Sequence, residues 1–131
     1  MNRKYSRLLI ACVAMSLVVS GCVAAAAAGA AAGAGGYAWA SGKLTFTTAH
    51  GISEAHSATL SALKDMGIEI TSDRVSTLSG NLQGVTGTNE TVTIDLEPLA
   101  PDITRIDIRV GFWGNHYQES KIADAIQRHL Q

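Results

Sequence analysis

Thr91-Val92-Thr93-Ile94-Asp95-Leu96 decides the fold class. Val92, Ile94 and Leu96 alternate strictly with Thr91, Thr93 and Asp95, the two-residue period of a strand with one buried and one wet face. Ile106, Ile108 and Val110 repeat the pattern against Arg105, Asp107 and Arg109. Pro98 to Asp102, between them, reads as a turn. One-sided alternation of this kind belongs to antiparallel sheets, because parallel sheets are covered on both faces. Asp95 or Glu97 is expected to pair with the arginines across strands, at about 0.2–1 kcal/mol per pair.

Upstream, Leu44, Phe46 and Thr48 alternate with Lys43, Thr45 and Thr47 and predict another strand. A helix follows from about Ser53 to Met66. Ser53 is its expected N-cap, and Glu54 suits the positive end of the helix dipole. Ala55, Thr59, Ala62 and Met66 recur at helical spacing, with Leu63 beside them. Gly67 fits the left-handed C′ position, which lets Ile68 pack back on Leu63 as in a Schellman ending. Ile68 and Ile70 open a strand reaching about Arg74. A further strand, from about Ser76 to Thr86, carries Leu78, Leu82 and Val85, with bulges expected at Gly80 and Gly84. Gly87-Thr88-Asn89-Glu90 is the next turn signal.

Downstream, Asn115 is a good helix cap, and Gln118 stands three residues on in a capping-box arrangement. Ile122, Ala125, Ile126 and Leu130 form the buried stripe of that last helix. The order β-α-β-β-β-β-α predicts an α+β fold, an antiparallel sheet with two helices packed on one face. The domain spans residues 37–131, a length that suits one compact unit.

The residues before it have a different character. Arg3, Lys4 and Arg7 precede an apolar run from Leu8 to Val19, which ends in Val19-Ser20-Gly21-Cys22. A charged start, a short apolar core and small residues at its end are the layout of a secretory signal. The ending resembles the lipobox of bacterial lipoproteins. That resemblance implies a signal peptide over residues 1–21, cleavage between Gly21 and Cys22, and lipidation of the Cys22 thiol. Two acyl chains hold a protein stably on a bilayer. Val23 rather than Asp after the cysteine implies the outer membrane, facing the periplasm. Residues 22–36 then form a lipidated, Gly/Ala-rich tether. The four-residue spacing of Gly29 and Gly33 leaves self-association through a glycine zipper as an alternative.

Removing the signal changes the charge. The full chain has 10 Lys and Arg against 11 Asp and Glu. Without Arg3, Lys4 and Arg7 the balance is about −4, which argues against nucleic acid and against a polybasic grip on anionic headgroups. Cys12 leaves with the signal and Cys22 carries lipid, so the domain folds without a disulfide.

Further residues carry a second resemblance. They are Tyr37-x-x-x-x-Gly42-x-Leu44, Ala58-Thr59-Leu60-x-Ala62-Leu63-x-x-x-Gly67-Ile68, Val92-x-Ile94-x-Leu96-x-Pro98, Ile108-x-Val110-Gly111 and Gly114. Over nearly its whole length the chain resembles small bacterial lipoproteins grouped as domain of unknown function 3568. The resemblance implies an envelope location and an α+β domain. It brings no catalytic residues.

Signals for chemistry are sparse. His50, His56, His116 and His129 lack the spacing of a zinc site and read as solvated side chains. No Gly-x-Ser-x-Gly elbow or phosphate-binding loop occurs. Asp95, Glu97 and Asp107 share a sheet face where paired carboxylates could do acid–base work, though a solvated charged face explains them more simply. Asn89-Glu90-Thr91 matches a glycosylation sequon that has no such meaning in a bacterial lipoprotein. No cofactor, metal or catalytic residue is expected. Phe112 and Trp113, between the last strand and the last helix, have two readings. They close the end of the core, the simpler reading, or they anchor a partner.

The expected function is therefore a membrane-anchored, non-enzymatic envelope module that binds a protein partner or supports an assembly. A ligand-binding or hydrolytic lipoprotein using the polar sheet face, and a membrane-organising glycine-zipper protein, are the alternatives.

Overall fold

The structure is a computed structural model in which residues 36–131 are described. It contains β1 (Ala38–Ala40), β2 (Lys43–Thr48), α1 (Ile52–Asp65), β3 (Glu69–Val75), β4 (Gly80–Val85), β5 (Thr91–Ala100), β6 (Ile103–Val110) and α2 (His116–His129). The strands form one antiparallel sheet in the order β1-β2-β6-β5-β4-β3. Both helices pack on one face, so the fold is the expected α+β arrangement with one strand more.

That extra strand, β1, is a three-residue hairpin partner of β2. Ser41 and Gly42 both have positive φ, 53° and 70°, as a two-residue type I′ hairpin turn requires. Ala38-Trp39-Ala40 is too short to show a period, and it follows a Gly/Ala run that masks it.

The alternating residues point where their pattern places them. Leu44, Leu82, Val92, Ile94, Leu96, Ile106, Ile108 and Val110 are fully buried beneath the helices. Ala55, Ala58, Ala62 and Leu63 of α1 and Ile122, Ala123, Ala125 and Ile126 of α2 cover them. Small alanines on both helices let the two lie close together over the sheet. Met66 and Leu130 are half-buried at the margin. Helix α1 ends as a Schellman motif: Ile68 N–H donates to the Leu63 carbonyl at 2.9 Å and Gly67 N–H to Lys64 at 3.1 Å. Gly67 has φ +69°, a conformation that strains any side chain.

Several boundaries differ from expectation. The N-cap of α1 is Gly51, with no side-chain cap bond, and Ser53 lies inside the helix. The strand expected from Ser76 begins only at Gly80. Ser76 closes a turn there, donating its N–H to the Ser79 carbonyl and accepting from Leu78 and Ser79 N–H at its hydroxyl. Serine in this local bonding pattern favours a turn over a ladder, so Leu78 projects into solvent. The register shifts lie in β3, between Ile70, which pairs with Gly84, and Ser72, and in β5, between Pro98 and Ala100; Gly80 stays in register. Pro98 is part of β5, paired with Thr104 of β6. The β4 ladder on the other side of β5 stops at Leu96, leaving an edge position where a residue without an N–H is tolerated. The turn is reduced to Pro101-Asp102.

Candidate contact surface at the end of the sheet

Strand β6 leads into Gly111-Phe112-Trp113-Gly114, and α2 begins immediately afterwards. Gly111 N–H donates to the Thr91 carbonyl at 2.8 Å, which ties the start of the loop to β5. At the far side, Asn115 caps α2: its side-chain oxygen accepts from Gln118 N–H at 3.2 Å. Gln118 does not return the bond. Glu119 does, one residue later, because its buried carboxylate accepts from Asn115 N–H at 3.1 Å and from Val110 N–H at 3.2 Å. One oxygen, Oε1, thus holds the backbone on both sides of the four-residue loop. Glu119 is 0% exposed, and its other oxygen has no protein partner.

The loop also leans on the β1–β2 turn. A Cβ on Gly114 would stand 2.4 Å from the Gly42 carbonyl oxygen, and one on Gly42 would stand 2.5 Å from the Trp113 carbonyl oxygen. The two glycines let the backbones approach closer than any side chain allows. Arg109 donates from Nη2 to the Ser41 carbonyl at 2.7 Å, tying the same turn to β6.

This frame turns the two aromatic rings outward. Phe112 is 81% and Trp113 86% exposed, so the reading that they close the core is overturned. The chain bends away at Gly111 (φ +72°) before either ring reaches the core, and the space under the loop belongs to Glu119. The rings meet edge to face, with centroids 4.9 Å apart and planes at 88°, a favourable aromatic geometry. Tyr117, one helical residue into α2, is also exposed, with the Lys121 ammonium 4.6 Å from its ring centre. Trp39 of β1 stacks on His116 at 5.2 Å. Tyr37 packs on Phe46 and donates its hydroxyl proton to Asp124 of α2. Its burial, the hydrogen bond to Asp124 and the charge of Asp124 hold that proton above the usual phenol range.

The other candidate residues are dispersed. His56 meets Asp73 at 2.7 Å, His129 meets Asp65 at 2.7 Å and His50 meets Thr48 at 2.8 Å. Among the described residues no three His, Cys, Asp or Glu side chains gather as a metal site. Each of the three candidate carboxylates on the open sheet face, Asp95, Glu97 and Asp107, has a donor. Glu97 accepts from Arg105, and Asp95 lies between Asn81 at 2.6 Å and Lys43 at 3.6 Å. Asp107 accepts from Thr45 at 2.7 Å. Open grooves among the described residues include one of about 390 Å³ between α1 and β3 beside Leu60 and Ile70, and one of about 320 Å³ beside His50 and His129. Gly21, Cys22, Gly29 and Gly33 lie outside the described residues. Among the described residues no helix is long and apolar enough to cross a membrane.

Glu119 is the residue that sequence reasoning missed. Its signal was present: an acid at the position that continues the Ile122 and Ile126 stripe toward the start of the helix faces the core and needs backbone partners there.

Fold and site together define a small α+β domain that presents a braced aromatic loop at one end of an antiparallel sheet. The profile of the family described as protein of unknown function (DUF3568) matches residues 6–129, and the chain belongs to that family. A search of curated proteins finds no match.

Proposed function

We propose that the protein is a lipid-anchored bacterial envelope lipoprotein whose domain works without catalysis, as an interaction module with the Phe112–Trp113 loop as its contact. The observation that carries this is the exposure of two large rings on a loop whose backbone is held at both ends. Rings of this size, pre-positioned, contribute strongly to contacts because little conformational freedom is lost on docking. The polar sheet face is the weaker candidate, since its carboxylates are already engaged by Lys43, Asn81, Thr45 and Arg105. Lipidation at Cys22, after removal of residues 1–21, is supported by the lipobox-like Val19-Ser20-Gly21-Cys22. Val23 supports the outer membrane, with the domain in the periplasm.

The anchor is tested by mass spectrometry of the mature protein. Acyl mass on Cys22, lost in Cys22→Ser, is expected; an unmodified cysteine overturns it. The contact is tested in living cells with a photo-cross-linking residue at position 113, against one at position 78. Leu78 is 82% exposed and serves as the control. More adduct of any kind at 113 than at 78 is expected. Equal labelling overturns the loop as a contact.

A further inference from the structure

We infer that the occupant of the Phe112–Trp113 loop is the lipid bilayer itself: the loop inserts at the boundary between headgroups and acyl chains and orients the domain on the membrane that anchors it. The inference rests on the proposed lipid anchor and on the loop as a contact, and it names the partner.

The chemistry of the tip comes first. Trp, Tyr and Phe bodies with polar or cationic neighbours favour the membrane–water interface, where an apolar ring is buried while an indole N–H or a phenol stays wet. Phe112 and Trp113 form the wedge, and Tyr117, four residues after Trp113 in sequence, is also exposed with the Lys121 ammonium over its ring. The rings stand out from the surface at 81% and 86% exposure. A hot spot for a protein partner is ordinarily ringed by neighbouring residues that exclude water. A projecting edge-to-face pair needs a medium that closes around it from all sides, and the interfacial zone of a bilayer is such a medium.

The path of the chain supplies the second argument. Gly36, the first described residue, is five residue steps from Ser41 at the start of the Ser41–Gly42 turn, about 17 Å of extended chain. That turn is in backbone contact with Gly114 of the loop. Cys22 and Gly36 are fourteen residue steps apart, a span of at most about 50 Å however the chain between them is arranged. A lipid on Cys22 therefore keeps the loop within reach of the bilayer at all times. Weak insertion is enough under those conditions, because the second contact is intramolecular. The anchor supplies affinity and the loop supplies orientation.

Charge is the third. The mature chain carries about −4, so Coulomb attraction to anionic lipid is not the driving term. Insertion by aromatic partition is expected to be insensitive to added salt, unlike basic-patch adsorption.

The test uses the lipidated mature protein, with acyl mass on Cys22 verified first, in vesicles of phosphatidylethanolamine and phosphatidylglycerol. The chain has two tryptophans, so Trp39→Phe leaves Trp113 as the sole reporter. A blue-shifted emission, quenched by lipids brominated on the acyl chains and shielded from aqueous iodide at low and high salt, is expected. Phe112→Ser in the same background is expected to weaken the quenching, with the thermal melt confirming that the domain stays folded. Trp113 that is open to iodide and untouched by brominated lipid in the lipidated protein overturns the inference and leaves the anchor standing. A protein adduct as the main product of cross-linking from position 113 in cells overturns the bilayer as occupant and leaves the contact loop standing. Lipid as the main adduct supports it.

Discussion

Two loops of this domain expose large hydrophobic side chains to a similar degree, and they are built very differently. In the β3–β4 turn, Leu78 stands 82% exposed over a frame made by a single residue, Ser76. In the β6–α2 loop, Phe112 and Trp113 stand over a fully buried carboxylate that bonds the backbone on both sides, two glycines in backbone contact with each other's neighbours, and an arginine tie to the adjoining turn. Exposure alone carries little meaning, because scattered apolar side chains on a surface are ordinary. Exposure held in place at the cost of burying a carboxylate is different. Burying that group costs stability unless it is bonded, and one of its two oxygens is left without a protein partner. The β6–α2 loop is maintained against a stability cost, and the β3–β4 turn is not.

Removing the buried carboxylate strikes the frame of the β6–α2 loop hardest. Glu119→Ala leaves the Val110 and Asn115 N–H groups without their acceptor, and about 3–4 kcal/mol of stability is expected to be lost in chemical denaturation. Glu119→Gln keeps an oxygen acceptor at the site and is expected to lose less. Gly114→Ala comes next. Its φ of +89° and the 2.4 Å approach to Gly42 predict a loss of about 2–3 kcal/mol, with hydrogen exchange rising first at Gly111, Asn115 and the β1–β2 turn.

Tyr37→Phe is smaller, about 1 kcal/mol for one partly exposed hydrogen bond to a carboxylate, and it has a pH signature. The folded phenol holds its proton more tightly than an unfolded one, so its contribution is complete below the ordinary phenol pKa of about 10. Above that pH the unfolded chain ionises first and the contribution falls away. The melting temperatures of wild type and Tyr37→Phe are expected to converge as the pH rises past 10. The exposed tips of the two loops matter least for stability. Leu78→Ser, Phe112→Ser and Trp113→Ser are each expected to change stability by no more than about 0.5 kcal/mol, and Phe112→Ser, unlike Leu78→Ser, is expected also to reduce cross-linking and lipid contact read at position 113.

The helix-covered core was legible because two periods dominate it. Val92, Ile94 and Leu96, and Ile106, Ile108 and Val110, alternate so strictly that their inward face follows from the pleat. Gly67 and Asn115 announced helix boundaries through side-chain chemistry that acts over three or four residues. What failed was decided by bonds and contacts that a period does not show. Ser53 looked like a cap, but the helix already begins at Ile52, with Gly51 in extended geometry as its N-cap. Leu78 looked like a strand residue, but Ser76 holds a local turn that a period cannot reveal. Phe112 and Trp113 looked like the lid of the core because nothing local shows that Glu119 already fills the space beneath them. The position of the aromatic pair was readable; its direction required the Gly42–Gly114 approach, which joins residues 72 apart in sequence.

The ladder between β2 and β6 has a consequence for how the molecule assembles. Thr45 pairs with Asp107 across 62 residues, whereas the ladders from β3 through β6 each join sequence neighbours. Loop-closure entropy favours the short-range meander as the early-forming part and leaves the β1–β2 arm to zip on afterwards. The aromatic tip lies at that seam, one side on the meander and the other braced by the late arm. It takes its working shape only when the two ends of the domain have found each other, so an incompletely assembled chain carries the rings without the brace that aims them.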